Sequence, residues 1–412
     1  MEILVVTNSC STKKYDEVCR MRKKAIVDPQ QKFFHLMIQG LASIDGVNVK
    51  SLSALPVSAS SVERKLFSLE DDNSEEGISY KYLPFINGKI LRYITLYMAA
   101  KKYVKRWCKN RGEKEAAIIV DPLIPVIAIP TRIIGQKKGI KVSAVVTDIP
   151  SLTTNMKGRK QSLIKRAFLL LYQKIADSDL QSYDSYVPLT ISINDVVNKE
   201  GKPFVVVEGF ADSRDTSISN NHKRYLMYAG GIYEKYGLNN LVEAFLELNR
   251  NDIELYIFGE GPYVQELMKI QKENPTIKYM GCVSSQEVVQ YEKEALLLIN
   301  PRPTNEEFAK YSFPSKTMEY MLSGTPVVST KLPGIPKEYF DHIYTFDGDD
   351  KEHMTSTLLH LVNKPEEELF EFGRKAHDFV IRYKNNNIMA RNIYMLLIEN
   401  IQSGEFSGKE NR

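Results

Sequence analysis

At 412 residues and 43% hydrophobic composition the chain is long enough for two domains with separate cores, and a formal net charge of +4 is too small to imply a nucleic-acid partner. Four cysteines, Cys10, Cys19, Cys108 and Cys282, are scattered without Cys-x-x-Cys spacing or histidine partners, which argues against a disulfide framework and a zinc site and fits a reducing, cytoplasmic setting. The first residues run straight into a strand pattern with no signal-peptide character, and no apolar run approaches the ~20 residues of a spanning helix.

Residues 3–7 read as a first strand, followed by a polar, lysine-rich loop over 8–31 and a helix over 32–43. A loop of that length is usually functional or mobile. His35, in Phe33-Phe34-His35-Leu36, is either an acceptor-side catalytic group or a packed core histidine. After a strand near 47–52 comes a polar run with Glu70, Asp71, Asp72, Glu75 and Glu76, whose composition fits a solvated loop better than a divalent-metal site, so no metal is assigned. Residues 83–111 hold eight Lys or Arg and no acid, interleaved with Ile90, Ile94, Tyr97, Val104 and Trp107, and Lys101, Lys105 and Lys109 fall on one helical face. A second acid-free segment, 157–174, sets Arg159, Lys160, Lys165 and Arg166 beside Leu163, Ile164, Phe168, Leu170 and Leu171. Such helices suit an anionic membrane surface, peripheral on the inner face of the cell membrane, and equally a sheet-packed helix with solvated lysines.

Residues 116–120 and 141–147 read as buried strands around an element over 122–136, and 180–187 and 203–207 finish the sheet. The alternation of strand and helix predicts a parallel, doubly wound sheet, which takes ligands at the carboxyl ends of its strands. Asp121 and Asp148 both fall there. Asp148, in Val146-Thr147-Asp148-Ile149-Pro150, either steers or deprotonates an acceptor hydroxyl or simply closes the strand.

A polar crossing over 208–222 carries the domain boundary, with 1–210 as the first domain and 211–383 as the second. A new strand-and-helix series opens at Tyr225-Leu226-Met227-Tyr228-Ala229-Gly230-Gly231 and continues through 241–248, 254–258, 265–271, 277–280, 286–292 and 295–299. Gly230 and Gly231 end a strand, where glycine lets the backbone come close to a ligand, and Gly259 and Gly261 form a similar turn in Phe258-Gly259-Glu260-Gly261-Pro262. Arg302, after the strand end Asn300-Pro301, is within reach of a diphosphate.

The stretch Tyr311-Ser-Phe-Pro-Ser-Lys-Thr-Met-Glu-Tyr-Met-Leu-Ser-Gly-Thr-Pro-Val-Val328 reads as loop, helix and strand. Pro314 suits a first helical turn, Ser312 can cap it, and the helix is predicted to start near Phe313. Met318, Met321 and Leu322 recur at core spacing, and Gly324 is placed to end the helix. The N–H groups of Ser315, Lys316 and Thr317 lack intrahelical partners, so with the helix dipole and the lysine charge they favour an anion such as phosphate. Glu319 shares their face and is placed for sugar hydroxyls; the bland alternative is a capped surface helix with a Lys316–Glu319 pair.

This stretch resembles the nucleotide-sugar site of the retaining glycosyltransferases of the GT-B fold, group 1, of the kind that builds bacterial surface polysaccharides such as capsule or exopolysaccharide. That family brackets the helix with two glutamates eight positions apart and closes on Gly-x-Pro-Val-Val. Glu319 and Gly324-Thr325-Pro326-Val327-Val328 match; Tyr311 stands where the first glutamate is expected. The family also has an Arg after its glycine-rich turn and then Lys-Gly, where this chain has Gly231 and Tyr236-Gly237, with Lys235 one residue off. The resemblance implies two Rossmann-like domains facing across a cleft and a last helix, over 384–402, crossing back onto the first domain before a polar tail at 403–412. It implies a nucleotide-diphosphate sugar as donor substrate, bound by Gly230, Gly231, Lys235, Gly259, Gly261, Arg302, Ser312, Ser315, Lys316, Thr317 and Glu319, with the ribose on Glu319. The expected reaction is metal-independent hexosyl or related transfer with retention to a polysaccharide or lipid-linked oligosaccharide, without cofactor. Asp148 and His35 are the catalytic candidates. The rivals are a GT-B nucleotide-sugar epimerase and a membrane-bound accessory subunit without chemistry, which Tyr311 and Gly231 at charged family positions would suit. A dinucleotide dehydrogenase is disfavoured, because no Gly-x-Gly-x-x-Gly follows the first strand.

Overall fold

The computed structural model describes residues 1–23, 29–149, 163–219 and 221–409. The chain forms two compact units, one of Met1–Phe210 with Asn386–Arg412 and one of Ala211–Asn385. Each is built on its own mainly parallel sheet.

In the first unit the elements run β1 (Glu2–Thr7), α1 (Thr12–Met21), α2 (Pro29–Ala42), β2 (Asn48–Ser53), β3 (Leu66–Phe67), β4 (Glu70–Asp72), β5 (Ile78–Tyr82), β6 (Phe85–Ile86), α3 (Leu91–Asn110), β7 (Ala116–Val120), α4 (Pro125–Lys137), β8 (Lys141–Val146), α5 (Leu163–Asp179), β9 (Ser185–Pro188) and α6 (Ile191–Val197). The main sheet has the order β4-β5-β2-β1-β7-β8-β9, parallel except for the edge strand β4. Strands β1 and β7 are buried along their whole length, as expected where helices cover both faces of a parallel sheet. The order reverses between β1 and β7, so the crevice of this unit opens at their carboxyl ends.

Several sequence expectations need correction here. Residues 8–31 are not one loop, because Ser11 accepts the Lys14 N–H at 3.1 Å and caps α1. The acidic run is solvent-exposed as read but is not all loop: Glu70–Asp72 pairs antiparallel with β5, and its carboxylates have partners. Glu70 binds the buried Lys14, Asp71 pairs with Lys81, and Asp72 accepts the Ser11 hydroxyl. Residues 203–207 meet β9 through a single bridge at Phe204 and not as a full strand. The first basic helix begins only at Leu91, since Phe85–Ile86 forms a small antiparallel pair with β3. Of the second basic segment, residues 157–162 lie outside the described residues, and the helix there starts at Leu163.

The second unit runs β10 (Tyr225–Ala229), α7 (Leu238–Glu247), β11 (Glu254–Phe258), α8 (Val264–Glu273), β12 (Ile277–Gly281), α9 (Ser285–Glu294), β13 (Leu297–Asn300), α10 (Ser315–Leu322), β14 (Val327–Ser329), β15 (Tyr344–Thr345), α11 (Lys351–Val362) and α12 (Glu366–Tyr383). Its six parallel strands have the order β12-β11-β10-β13-β14-β15. One apolar layer carries Leu241, Phe245, Leu358 and Leu369; the other carries Met318, Met321 and Leu322 of α10 with Tyr339 and Val380. The chain ends in α13 (Asn386–Lys409), whose Asn400 amide donates to the Ser185 hydroxyl at 3.1 Å and so belongs to the first unit. This helix continues past 403, where the sequence suggested a tail.

Candidate functional site

The strand order of the second unit reverses between β10 and β13, and there the two strands part. Their ladder covers only Leu226↔Leu297 and Met227↔Leu298. Beyond it, the N–H and C=O of Ala229 have no β13 partner. A buried peptide group cannot stay unpaired without a cost of about 1–3 kcal/mol, and the start of α10 supplies the partners. The Tyr320 hydroxyl accepts the Ala229 N–H at 2.9 Å and donates to the Ala229 carbonyl at 3.2 Å, and the Lys316 ammonium donates to the same carbonyl.

The gap between the parted strands is a pocket of about 160 Å³ lined by Tyr228, Gly231, Tyr236, Ile299, Asn300, Arg302, Ser312, Phe313, Pro314, Ser315, Lys316 and Tyr320. It lies at the carboxyl ends of the strands, at the switch point where doubly wound sheets take their ligands. Two cations face it. The Arg302 guanidinium lies over the rings of Tyr236 (4.9 Å) and Phe308 (5.4 Å), which fix its plane. Burial pushes the Lys316 ammonium below the ordinary lysine range; Glu319 and Glu292 oppose the shift and Arg302 adds to it. Helix α10 points its first turn at the pocket. Pro314 stands at the cap position with no side-chain cap bond, so Ser312 does not cap the helix and α10 starts at Ser315, two residues later than predicted. The Thr317 N–H is taken by the Pro314 carbonyl at 2.8 Å, which leaves those of Ser315 and Lys316 as the open donors of this turn among the described residues.

Of the residues the sequence assigned to the donor, Gly231, Arg302, Ser312, Ser315 and Lys316 come together around this pocket. The others lie outside its lining. Thr317 is fully buried, its hydroxyl within 3.5 Å of the Asn300 amide. Glu319 stays near enough to Lys316 to act on its charge. Lys235 is exposed over the rings of Tyr233 and Tyr236. The Gly230 N–H bonds the Phe258 carbonyl. Gly259 and Gly261 have a packing reason to be glycine: a Cβ on either would lie 1.8 Å from the Gly230 carbonyl oxygen or 2.1 Å from that of Ile232, and Gly259 has φ +127°. Sequence reading missed Tyr320, although its position four residues after Lys316, on one helical face, was a usable signal.

In the first unit the two catalytic candidates stand apart. His35 contacts the Cys10 carbonyl at 3.1 Å and Gln39 at 3.0 Å, and lies 3.6 Å from Glu75, which also accepts the Tyr80 hydroxyl at 2.8 Å. Asp148 follows β8, accepts the Ile149 N–H at 2.7 Å, and has its carboxyl pushed up by burial. Its neighbour in role, Asp121, is fully buried at the end of β7 with one oxygen unbonded, and burial pushes it up to about 7. Among the described residues no group of three or more His, Cys, Asp or Glu is arranged to hold a metal.

Residues 223–364 match the family model described as glycosyl transferases group 1. Sucrose-phosphate synthase from Thermosynechococcus elongatus superimposes with a TM-score of 0.63 at 11% identity over 98% of this chain and 100% of its own. The Anabaena protein HepE, solved with UDP, gives 0.62 at 11% over 97% and 100%, and the lipopolysaccharide outer core galactosyltransferase WaaB gives 0.59 at 13% over 97% and 99%. No curated protein matches at the sequence level. The second unit is therefore similar over residues 223–364 to the group 1 glycosyltransferase domain, in a chain with the GT-B fold.

Two substitutions probe this geometry. Tyr320→Phe leaves the Ala229 N–H buried and unpaired, and is expected to lower stability by about 1–3 kcal/mol in denaturant unfolding. Asp121→Asn keeps the acceptor for Leu123 and removes a carboxyl whose folded pKa lies above its unfolded value of 3.8. That carboxyl costs nothing below pH ~4 and an increasing amount as pH rises to about 7, so the variant's gain in stability should grow across that window, by at most about 4 kcal/mol, and then level off.

Proposed function

We propose that the chain transfers a hexosyl or related sugar, with retention of configuration, from a nucleotide-diphosphate sugar to a polysaccharide or lipid-linked oligosaccharide at the cytoplasmic face of a membrane. The observation that carries this reading is the pocket at the β10/β13 switch point, where Arg302, Lys316 and the open N–H groups of Ser315 and Lys316 converge. Four positive elements in one small pocket match a diphosphate in charge and size.

The chemistry follows from charge. As the bond to the sugar breaks, the departing diphosphate gathers negative charge, and donors already fixed in place stabilise it without reorganising. The aromatic faces of Tyr236 and Phe308 hold Arg302 for this task. Lys316, resting on the Ala229 carbonyl, has only to turn toward the phosphates. The cations come from Arg302 and Lys316, where the related enzymes are expected to use an arginine and a lysine at the places held here by Gly231 and Tyr236. Glu319 is assigned the donor ribose, and Asp148 and His35 the acceptor side. No step is assigned to a metal. Retention, the surface-polysaccharide setting and the acceptor class rest on the resemblance to group 1 enzymes.

The test is release of nucleoside diphosphate from a panel of nucleotide sugars, with a membrane extract as acceptor source. The wild type should release nucleoside diphosphate from one donor only when the extract is present. Arg302→Ala and Lys316→Ala should each cut turnover by about 10- to 150-fold, the worth of one charge-assisted hydrogen bond. Conversion of the sugar without release would mean an epimerase instead, and no reaction with any donor would count against transfer.

A further inference from the structure

The match to group 1 glycosyltransferases lies in the second unit, yet the first carries an exposed surface of its own kind. On α3, Leu91, Ile94, Met98, Lys101, Lys105 and Lys109 follow one another at steps of three or four residues, which puts them in one stripe along the helix. All six are exposed. The stripe changes character halfway: its first half is apolar and its second half is basic. Lys102 and Arg106 flank the basic half and are exposed as well.

The apolar half does not stand alone. Ile90 precedes it, and the rung Leu66↔Ile86 of the β3–β6 pair adjoins it, since the Ile86 N–H donates to the Thr95 hydroxyl of α3 at 3.1 Å. Leu66, Ile90, Leu91, Ile94 and Met98 are each 50% to 66% exposed, and single exposed leucines are ordinary whereas four large apolar residues between Ile90 and Met98, with Leu66 on the adjoining strand pair, are not. Alongside, Tyr93 meets Tyr172 edge-on at 5.8 Å, which brings in the exposed Leu170, Leu171 and Ile175 of α5.

The geometry points to this surface as a docking face for an anionic phospholipid bilayer, with Leu66, Ile90, Leu91, Ile94 and Met98 entering the headgroup–acyl boundary and Lys101, Lys105 and Lys109 on the phosphates. Charge decides between a lipid surface and a second copy of the chain. No acid occurs between Gly77 and Gly112, so α3 of a second copy would bring lysine or apolar side chains, and no carboxylate, against Lys101, Lys105 and Lys109. An apolar wedge bordered by cations that pair with no carboxylate among the described residues is instead what an interfacial helix presents to acidic lipid. This inference deepens the membrane part of the proposed function and draws nothing from the donor pocket.

The test is co-sedimentation of the full chain with phosphatidylcholine vesicles, with and without phosphatidylglycerol, and binding of a nucleoside diphosphate measured on the same proteins. The wild type should bind the phosphatidylglycerol vesicles and lose them at high salt. Lys101→Gln/Lys105→Gln/Lys109→Gln should weaken vesicle binding about 100-fold, at about fivefold per lysine. Leu91→Ser/Ile94→Ser/Met98→Ser should weaken it with the charge intact. All six positions are exposed, so nucleotide binding should be unchanged in both variants. Failure of the wild type to bind acidic vesicles, or binding by either variant as tight as the wild type's, would overturn the assignment. A concentration-dependent dimer dissolved by the same substitutions would overturn it in favour of a protein partner. Loss of nucleotide binding with vesicle binding intact would count against the donor pocket alone.

Discussion

The hydroxyl of Tyr320 holds the second unit's site together. Where β10 and β13 separate, the Ala229 peptide would be stranded in a buried position, and Tyr320 meets both its N–H and its C=O from one turn into α10. That contact sets how far the strands part and where α10 begins. It aims the helix start, with its two unsatisfied amides, into the gap it helps to make. Lys316 shares the carbonyl, and the position of the pocket's lysine therefore depends on a packing contact within the protein.

The same economy is visible in the first unit, where polar groups near the ends of β1 and β5 are spent on one another. Ser11 caps α1 and binds Asp72, Lys14 lies between Glu17 and Glu70, and Glu75 gathers Thr12, Tyr80 and His35. Such a network fixes the loop after β1 against the sheet edge. Not every group is paired: among the described residues Asp121, at the end of β7, keeps one buried oxygen without a hydrogen-bond partner, as do Asn8 and Ser9 just after β1.

What could be read from the sequence follows from range. The strands 3–7, 116–120 and 225–229 announce themselves as unbroken apolar runs, and the alternation with helices gives the parallel sheets, because both signals are local. The helix start that lines the pocket with Ser315 and Lys316 was legible for the same reason: a proline followed by a helix with a lysine in its first turn is a local pattern. The acidic strand at 70–72 was not, since it forms only through the distant partners Lys14, Ser11 and Lys81. Gly259 and Gly261 read as ligand-contacting glycines because sequence shows the missing side chain but not the neighbouring chain that requires it. Ser312 read as the cap and Pro314 as a first-turn residue; the backbone instead puts Pro314 at the cap position, where its carbonyl takes the Thr317 N–H.

The fold by itself leaves the chemistry open, since GT-B sheets can serve more than one reaction. The claim that separates this chain from a bare scaffold is that its pocket recognises two linked phosphates. Calorimetric titration with a nucleoside diphosphate and with the corresponding monophosphate tests this directly. The account predicts that the diphosphate binds at least about tenfold more tightly, as one added charge-assisted contact requires, and that Arg302→Ala removes most of that difference. Equal affinity for the two nucleotides, or a preference untouched by Arg302→Ala, would contradict it.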